Sequence, residues 1–249
     1  MRLTGNTIFI TGGGSGIGRG LAEALHRGDN RVIIAGRRKA NLIEVAKANP
    51  GMQWMELDIG DPASIATVAG RLIAEYPELN VLINNAGIMQ IDDVSGPVDD
   101  ELLVATLTTN LMGPMRLTGA LVGHLRKQSQ AAVINNTSGL AFVPLAMTAV
   151  YSSTKAALHS YTLSLRFKLR GTSVKVIEVA PPWVQTDLLG SKNEPRAMPL
   201  AEFIKETMQG LGTDAEEVLV ERVKPLRNNV GPGEGRFVTQ FNEMLTQQH

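Results

Sequence analysis

Short runs of apolar, β-branched residues alternate along the chain with longer stretches in which apolar positions recur every three or four residues. The first run, Thr7-Ile-Phe-Ile-Thr11, stops at a cluster of glycines, and from Ile17 the apolar positions continue at helical spacing through Leu21 and Leu25. That pattern is strand, glycine-rich turn, helix. It repeats. Further strands are expected at 31–35, 53–57, 81–83, 132–136 and 174–179, with a helix after each of the first five. Asp61-Pro62 is a sound helix start, a capping carboxylate followed by proline at the first helical position. Gly113-Pro114, just beyond Asn110, predicts a kink in the helix that crosses them. Six strands alternating with helices imply an α/β fold, a doubly wound parallel sheet with helices on both faces and right-handed crossovers.

The pattern changes after the sixth strand. Residues 187–198 turn polar and irregular, which predicts a mobile segment over a site, and 187–213 as a whole is read as a substrate-covering segment. Pro199 is expected to open a short helix to Met208, and Thr213-Asp-Ala-Glu-Glu217 to start another. A loop rich in asparagine, glycine and proline then leads to a last amphipathic helix at 237–245.

A chain of 249 residues suits one domain, 1–249. Its 24 basic and 24 acidic residues cancel, leaving no electrostatic footprint for nucleic acid or an anionic membrane. The lack of cysteine excludes disulfides, thiolate catalysis and cysteine zinc sites. His26, His124, His159 and His249 are scattered, so no metal is expected. No apolar run approaches the roughly 18 residues of a membrane span, and 8–10 is too brief for a signal peptide core. A cytoplasmic location is expected.

In a parallel sheet of this kind ligands sit at the carboxyl ends of the strands. Those ends carry Gly12 to Gly18, Arg37, Asp58, Asn85 and Ser138. Glycines at 12, 16 and 18 allow a tight turn, close approach of a ligand and packing of the helix on the sheet, while the helix N-terminus offers free N–H groups to a phosphate. The second strand ends in Arg37-Arg38 and not in an acid. A carboxylate there would hold a ribose 2′-hydroxyl, whereas guanidinium groups match a 2′-phosphate, so NADP(H) is preferred and NAD(H) stays possible. Tyr151 and Lys155 share a helix face. An ammonium about 4 Å from the phenol would favour the phenolate by about 4 kcal/mol at an effective dielectric near 20, enough to bring the tyrosine toward acid–base work near neutral pH.

With Thr11-Gly-x-x-x-Gly-x-Gly18, Asp58, Asn84-Asn85-Ala86-Gly87, Asn110, Ser138 and Tyr151-x-x-x-Lys155 in this order and spacing, residues 5–188 resemble the short-chain dehydrogenase/reductase family, in its single-domain, roughly 250-residue branch with a Rossmann-like fold. The resemblance implies that Tyr151 exchanges a proton with the substrate oxygen as hydride passes to or from the nicotinamide. It implies that Lys155 holds the nicotinamide ribose and lowers the tyrosine pKa, that Ser138 orients the substrate oxygen, and that Asn110 seats a water linking Lys155 to solvent. Gly12, Gly14, Ser15, Gly16, Ile17 and Gly18 would cradle the pyrophosphate, Asp58 and Ile59 meet the adenine, and Asn85, Ala86 and Gly87 the adenosine side. Pro181, Val184 and Thr186 fall where the family holds the nicotinamide carboxamide.

Two departures stand out. Pro182 follows Pro181 where the family has glycine, stiffening that loop. The C-terminal stretch does not read as the family's seventh strand, so that strand is expected to be missing or replaced by helix, which favours a homodimer over a tetramer. The implied activity is an NADP(H)-dependent carbonyl reductase or alcohol dehydrogenase for a small or medium, fairly apolar substrate. Leu140, Phe142, Val143, Trp183, Leu188 and Leu189 are the candidate pocket lining. The alternatives are the same enzyme using NAD(H), or a catalytically silent NADP(H)-binding regulator.

Overall fold

A computed structural model of the chain describes residues 1–246; His249 lies outside them. The first half alternates strictly: β1 (Thr7–Thr11), α1 (Gly16–Arg27), β2 (Arg31–Gly36), α2 (Lys39–Ala48), β3 (Gln53–Glu56), α3 (Pro62–Glu75) and β4 (Leu79–Asn84). There follow α4 (Asp100–Leu107), a π-helical turn over Thr108–Met112, α5 (Gly113–Leu125), β5 (Ala131–Asn136), α6 (Ala149–Leu169) and β6 (Val174–Val179). The chain closes with α7 (Leu200–Leu211), β7 (Glu217–Val218), α8 (Lys224–Arg227) and α9 (Glu234–Thr246). Among the described residues the strands form one parallel sheet in the order β3-β2-β1-β4-β5-β6-β7.

Both faces of the sheet are covered, which is why the strands read as continuous apolar runs. Ile8 and Ile10 of β1 point into one core with Leu21, Leu25, Ile34 and Phe203, while Phe9 points into the other with Ile33, Leu72, Leu82 and Leu117. Each such side chain, fully buried, stabilises the fold by about 1.5–3 kcal/mol. The Asp61 carboxylate accepts from the Ala63 and Ser64 N–H groups at 2.9 and 3.2 Å, capping α3 as its sequence predicts. The kink expected at Asn110 takes the form of the π-helical turn.

The expectation of six strands is corrected by β7. Its two residues pair in parallel with β6 (Glu178 with Glu217, Val179 with Val218) in the place where a helix start was expected. Val218 and Val220 are both buried, a period-2 signal too short to stand out, and a Cβ on Gly210 of α7 would come within 2.5 Å of Val218. The helix packs tightly over that edge. No helix among the described residues is long and apolar enough to cross a membrane.

Segment 187–198 folds back on itself. Ser191, 2% exposed, has its one hydroxyl donor within reach of the carbonyls of Val184 (2.9 Å), Leu188 (3.0 Å) and Thr186 (3.2 Å), and Val184 bridges to Met198.

Candidate active site

The glycine-rich turn between β1 and α1 is built for close approach. Gly12 and Gly16 have φ of 69° and 52°, a left-handed backbone that glycine adopts without strain. A Cβ on Gly18 would lie 2.2 Å from the Gly12 carbonyl oxygen and 2.4 Å from Asn85 Nδ2, so α1 can start this near the sheet only with glycine there. Ser15 stands at the N-cap of α1 but makes no side-chain cap bond; its Oγ accepts from Arg38 Nη2 at 2.7 Å. The first N–H groups of the helix are thus left for a ligand. A cleft of about 240 Å³ opens here, lined by Gly14, Ser15, Gly16, Thr186 and Lys192 among others. A larger cleft of about 560 Å³ lies between Arg37, Asp58, Gly60 and the Asp100–Thr109 stretch. Arg37 is exposed, with no hydrogen-bond partner among the described residues, and Ile59 is buried beside Gly113. The two clefts together offer N–H groups, glycine backbone and a guanidinium, a donor set suited to an extended ligand carrying several phosphates.

Asn85 sews three strand ends together. Its Nδ2 donates to the Thr11 carbonyl at 2.9 Å, its Oδ1 accepts from Asn136 Nδ2 at 2.8 Å, and Thr11 Oγ1 accepts from the Asn85 and Ala86 N–H groups at 3.0 Å each. Gly87 follows. A Cβ there would sit 3.4 Å from Asn110 Oδ1 and 3.7 Å from Lys155 Nζ. Asn110, fully buried in the π-helical turn, clamps Ile88 in both directions, accepting from its N–H and donating to its carbonyl at 2.8 Å, and its Nδ2 also reaches Thr154 Oγ1 at 3.3 Å.

Tyr151, Lys155 and Ser138 meet beside this seam. Tyr151 is 7% exposed, with the Ser138 side chain near enough to act on its hydroxyl; Lys155 Nζ donates to the Asn136 carbonyl at 2.9 Å and stands 5.5 Å from the centre of the Tyr151 ring. Burial pushes the tyrosine up to about 12, with the Ser138 side chain pulling the other way. Burial also drives the Lys155 amine down to about 8. The spacing of Tyr151 and Lys155 in the sequence predicts a phenol lowered by the lysine. Here desolvation of the phenol outweighs that attraction, and the ammonium is turned to a backbone carbonyl.

The N-terminus of α6, which carries the pair, is capped from a distance. The Asp92 carboxylate accepts from the Ala149 and Val150 N–H groups at 3.0 and 2.9 Å. Its role was not foreseen, because a cap normally sits next to its helix in sequence. The candidate pocket residues differ in burial. Val143 is wholly buried in the interior, and Phe142 packs edge-on against His159 with centroids 5.1 Å apart. Trp183 is 41% exposed with the Arg196 guanidinium 5.1 Å from its ring, while Leu188 and Leu189 are exposed and Leu140 half-buried. Pro181, buried, accepts from the Gly139 N–H at 2.8 Å; Val184 is buried and Thr186 lies opposite Gly16 across the smaller cleft.

The family model of the short chain dehydrogenases matches residues 6–197. This chain belongs to that family. As a short-chain dehydrogenase/reductase it is an oxidoreductase, and the match spans every strand from β1 to β6. It is 40% identical over 250 residues, 97% of this chain and 98% of the relative, to an uncharacterised oxidoreductase, DltE, of Bacillus subtilis (strain 168). An NADP-dependent 3-hydroxy acid dehydrogenase of Schizosaccharomyces pombe is 33% identical over 192 residues, 75% of this chain and 74% of that one. Among solved structures, a short chain dehydrogenase of Burkholderia cenocepacia in complex with NADP superposes with a TM-score of 0.85 at 26% identity, covering 96% of this chain and 98% of the other.

Proposed function

We propose that this short-chain dehydrogenase/reductase catalyses reversible hydride transfer between NADP(H) and a small or medium, apolar ketone, aldehyde or secondary alcohol, with Tyr151 as general acid and base. The observation that carries this reading is the meeting of Tyr151, Ser138 and Lys155 in one buried corner beside the phosphate-suited clefts. A bound nicotinamide supplies or takes the hydride. Tyr151 gives its hydroxyl proton to the carbonyl oxygen in reduction and recovers it in oxidation, and Ser138 holds that oxygen in line. Lys155 has three N–H donors and uses one on the Asn136 carbonyl, so two are left for ribose hydroxyls and the tyrosine oxygen. Asn110 fixes the Gly87–Ile88 backbone beside it.

Gly12, Gly14, Ser15, Gly16, Ile17 and Gly18 would take the pyrophosphate, Asp58 and Ile59 the adenine side, and Pro181, Val184 and Thr186 the nicotinamide end. Arg37, with no hydrogen-bond partner among the described residues at the end of β2, and Arg38 beside it support NADP(H) over NAD(H), as do the NADP complex of the Burkholderia protein and the NADP-dependence named for the fission-yeast relative. The substrate side is assigned to Leu140, Phe142, Trp183 and Leu188.

A homodimer is part of the proposal. Val104, Met112 and Met115 on the α4–α5 side and Leu163 and Phe167 on α6 are large, apolar and 39–60% exposed, a covering that a second copy would bury. A missing seventh strand would favour a dimer over a tetramer. With β7 present that argument falls, and the dimer rests on these helix faces.

The test is oxidation of NADPH and of NADH, followed by absorbance, against aldehydes, aryl ketones, diketones, keto esters and 3-oxo acids. Turnover with NADPH at least about tenfold more efficient than with NADH is expected, the size a lost 2′-phosphate–guanidinium pair implies. Binding of NADPH without turnover of any class would overturn the enzymatic reading.

A further inference from the structure

Glu178 is a fully buried acid in the apolar strand β6 (VKVIEV), and the proton transfer proposed above does not use it. A buried carboxylate must be hydrogen-bonded or paired. Thr137 Oγ1 donates to its Oε1 at 2.6 Å, and His159 Nδ1 lies 3.0 Å from Oε1 and 2.8 Å from Oε2. Carboxylate oxygens only accept, so the imidazole Nδ1 is the donor. On the far side, Arg227 of α8 donates to both oxygens of Glu217 of β7, at 3.0 and 3.1 Å, and stands 5.0 Å from the Phe142 ring, which closes over His159.

The arrangement completes a series. The last two residues of β5 each have a direct partner on α6. Asn135 Nδ2 donates to Thr162 Oγ1 at 2.9 Å, the Asn136 carbonyl accepts from Lys155 Nζ at 2.9 Å, and the Ser138 side chain acts on the Tyr151 hydroxyl. Thr137 reaches the helix through Glu178, which His159 holds from one turn beyond Lys155. The geometry points to Glu178 and His159 as positioning residues: through Thr137 they hold the segment carrying Ser138 in register with the helix carrying Tyr151. This rests on the reading of Ser138 and Tyr151 given above.

The same cluster brings ligand atoms of His159, Glu178 and Glu217 within 4.8 Å of one another. Both oxygens of each carboxylate already meet a donor, the guanidinium on Glu217 and the imidazole and hydroxyl on Glu178. The cluster is built as a hydrogen-bonded ion network, and a divalent cation would have to displace Arg227.

The experiment compares Glu178→Ala, Glu178→Gln and Thr137→Val with wild type by steady-state kinetics, NADPH titration and amide hydrogen exchange. Thr137→Val keeps side-chain volume and cuts only the hydroxyl link, so it remains informative where Glu178→Ala fails to fold. A displaced Ser138 should lower kcat by about tenfold or more in Thr137→Val and Glu178→Ala with NADPH affinity within about twofold, and Glu178→Gln, which still accepts from Thr137, should recover most of it. Exchange should quicken at residues 137–140 in the two damaging variants and stay unchanged in β1 and β2. Unchanged kcat and exchange in Thr137→Val would overturn the proposal. So would exchange raised evenly over the sheet, or a stoichiometric divalent metal on the purified wild type that Glu178→Ala loses. The exchange measurement needs no turnover. Failure of the wild type on every substrate would therefore sink the proposed function and still leave the anchoring of residues 137–140 to be decided by exchange.

Discussion

Replacing Lys155 by methionine should make the protein gain stability in a pH-dependent way. The amine is held at about 8 against an ordinary 10.5 because burial penalises the ammonium. Below pH 8 the lysine is charged in both the folded and the unfolded chain, and the folded chain carries the full cost of burying it, about 3 kcal/mol. Above pH 10.5 both states hold the neutral amine and the cost is gone. Wild-type stability therefore rises through the window from about pH 8 to 10.5, and Lys155→Met should lack that rise. At pH 9.5 the residual cost is about 1 kcal/mol, so the advantage of the variant should shrink by about 2 kcal/mol between pH 7 and 9.5.

The substitution has a second effect that must be separated. Lys155 Nζ donates to the buried Asn136 carbonyl, and leaving that oxygen without a partner costs about 1–3 kcal/mol. A carbonyl does not titrate. The lost bond lowers the variant equally at both pH values, and only the change between them reports the lysine. Paired thermal melts of wild type and variant at pH 7 and 9.5 read it directly. For a domain of this size the difference in Tm should narrow by about 4–8 °C on going to the higher pH. A difference that stays constant would refute the reasoning, since it would mean that burial does not depress the amine.

Tyr151→Phe removes the proton donor and should cut turnover by about 100-fold to 10,000-fold while NADPH affinity, measured by titration calorimetry, stays nearly unchanged. Substantial remaining activity would exclude Tyr151 as the acid. Arg37→Ala should raise the KM for NADPH by about tenfold or more and leave NADH within about twofold, because only the 2′-phosphate loses a partner; equal shifts would mean that Arg37 does not read it. Reduction needs the protonated phenol and oxidation the phenolate. With Tyr151 at about 12, the reductive rate should be flat from pH 6 to 9, and the oxidative rate should climb, less steeply above about pH 8 where Lys155 loses its charge. An oxidative profile as flat as the reductive one would contradict this.

Elements with local signals were legible in the sequence. The run Thr7–Thr11 and the glycine spacing after it announce β1 and α1, and Tyr151 with Lys155 declares a shared helix face before any coordinates exist. β4 starts two residues earlier than its apolar run because Asn80 is buried too. Its Oδ1 accepts from the Thr7 N–H at 3.0 Å, and its Nδ2 donates to Asn6 Oδ1 at 3.0 Å and to the Gln130 carbonyl at 3.2 Å. A polar residue satisfied by two distant segments looks like surface when only its neighbours in sequence are seen. The two-residue β7, the capping of α6 by Asp92 and the approach of His159 to Glu178 escape for the same reason. Each depends on sheet register or chain return over more than fifteen residues, which periodicity does not encode. Glu178 did leave a mark, an acid inside an apolar strand, and its burial follows from the strand's position near the edge that β7 covers.

The opposite displacements of Tyr151 and Lys155 bear on the direction of the reaction. Burial drives both toward their neutral forms, a phenol that keeps its proton and an amine that gives one up above about pH 8. A neutral phenol is ready to protonate an oxygen that is turning into an alkoxide, a far stronger base than phenolate, so the displacement costs reduction little. Oxidation must first make the phenolate in a buried corner. There the Ser138 hydroxyl and the two remaining N–H bonds of Lys155 are the donors at hand to stabilise it. Ser138 already pulls the phenol downward, and Lys155 can add to that only when protonated, a state it loses above about pH 8. The same burial that excludes water from hydride transfer thus biases the corner toward carbonyl reduction. It also makes the positioning of Ser138, through Thr137 and Glu178, matter most for the reverse reaction.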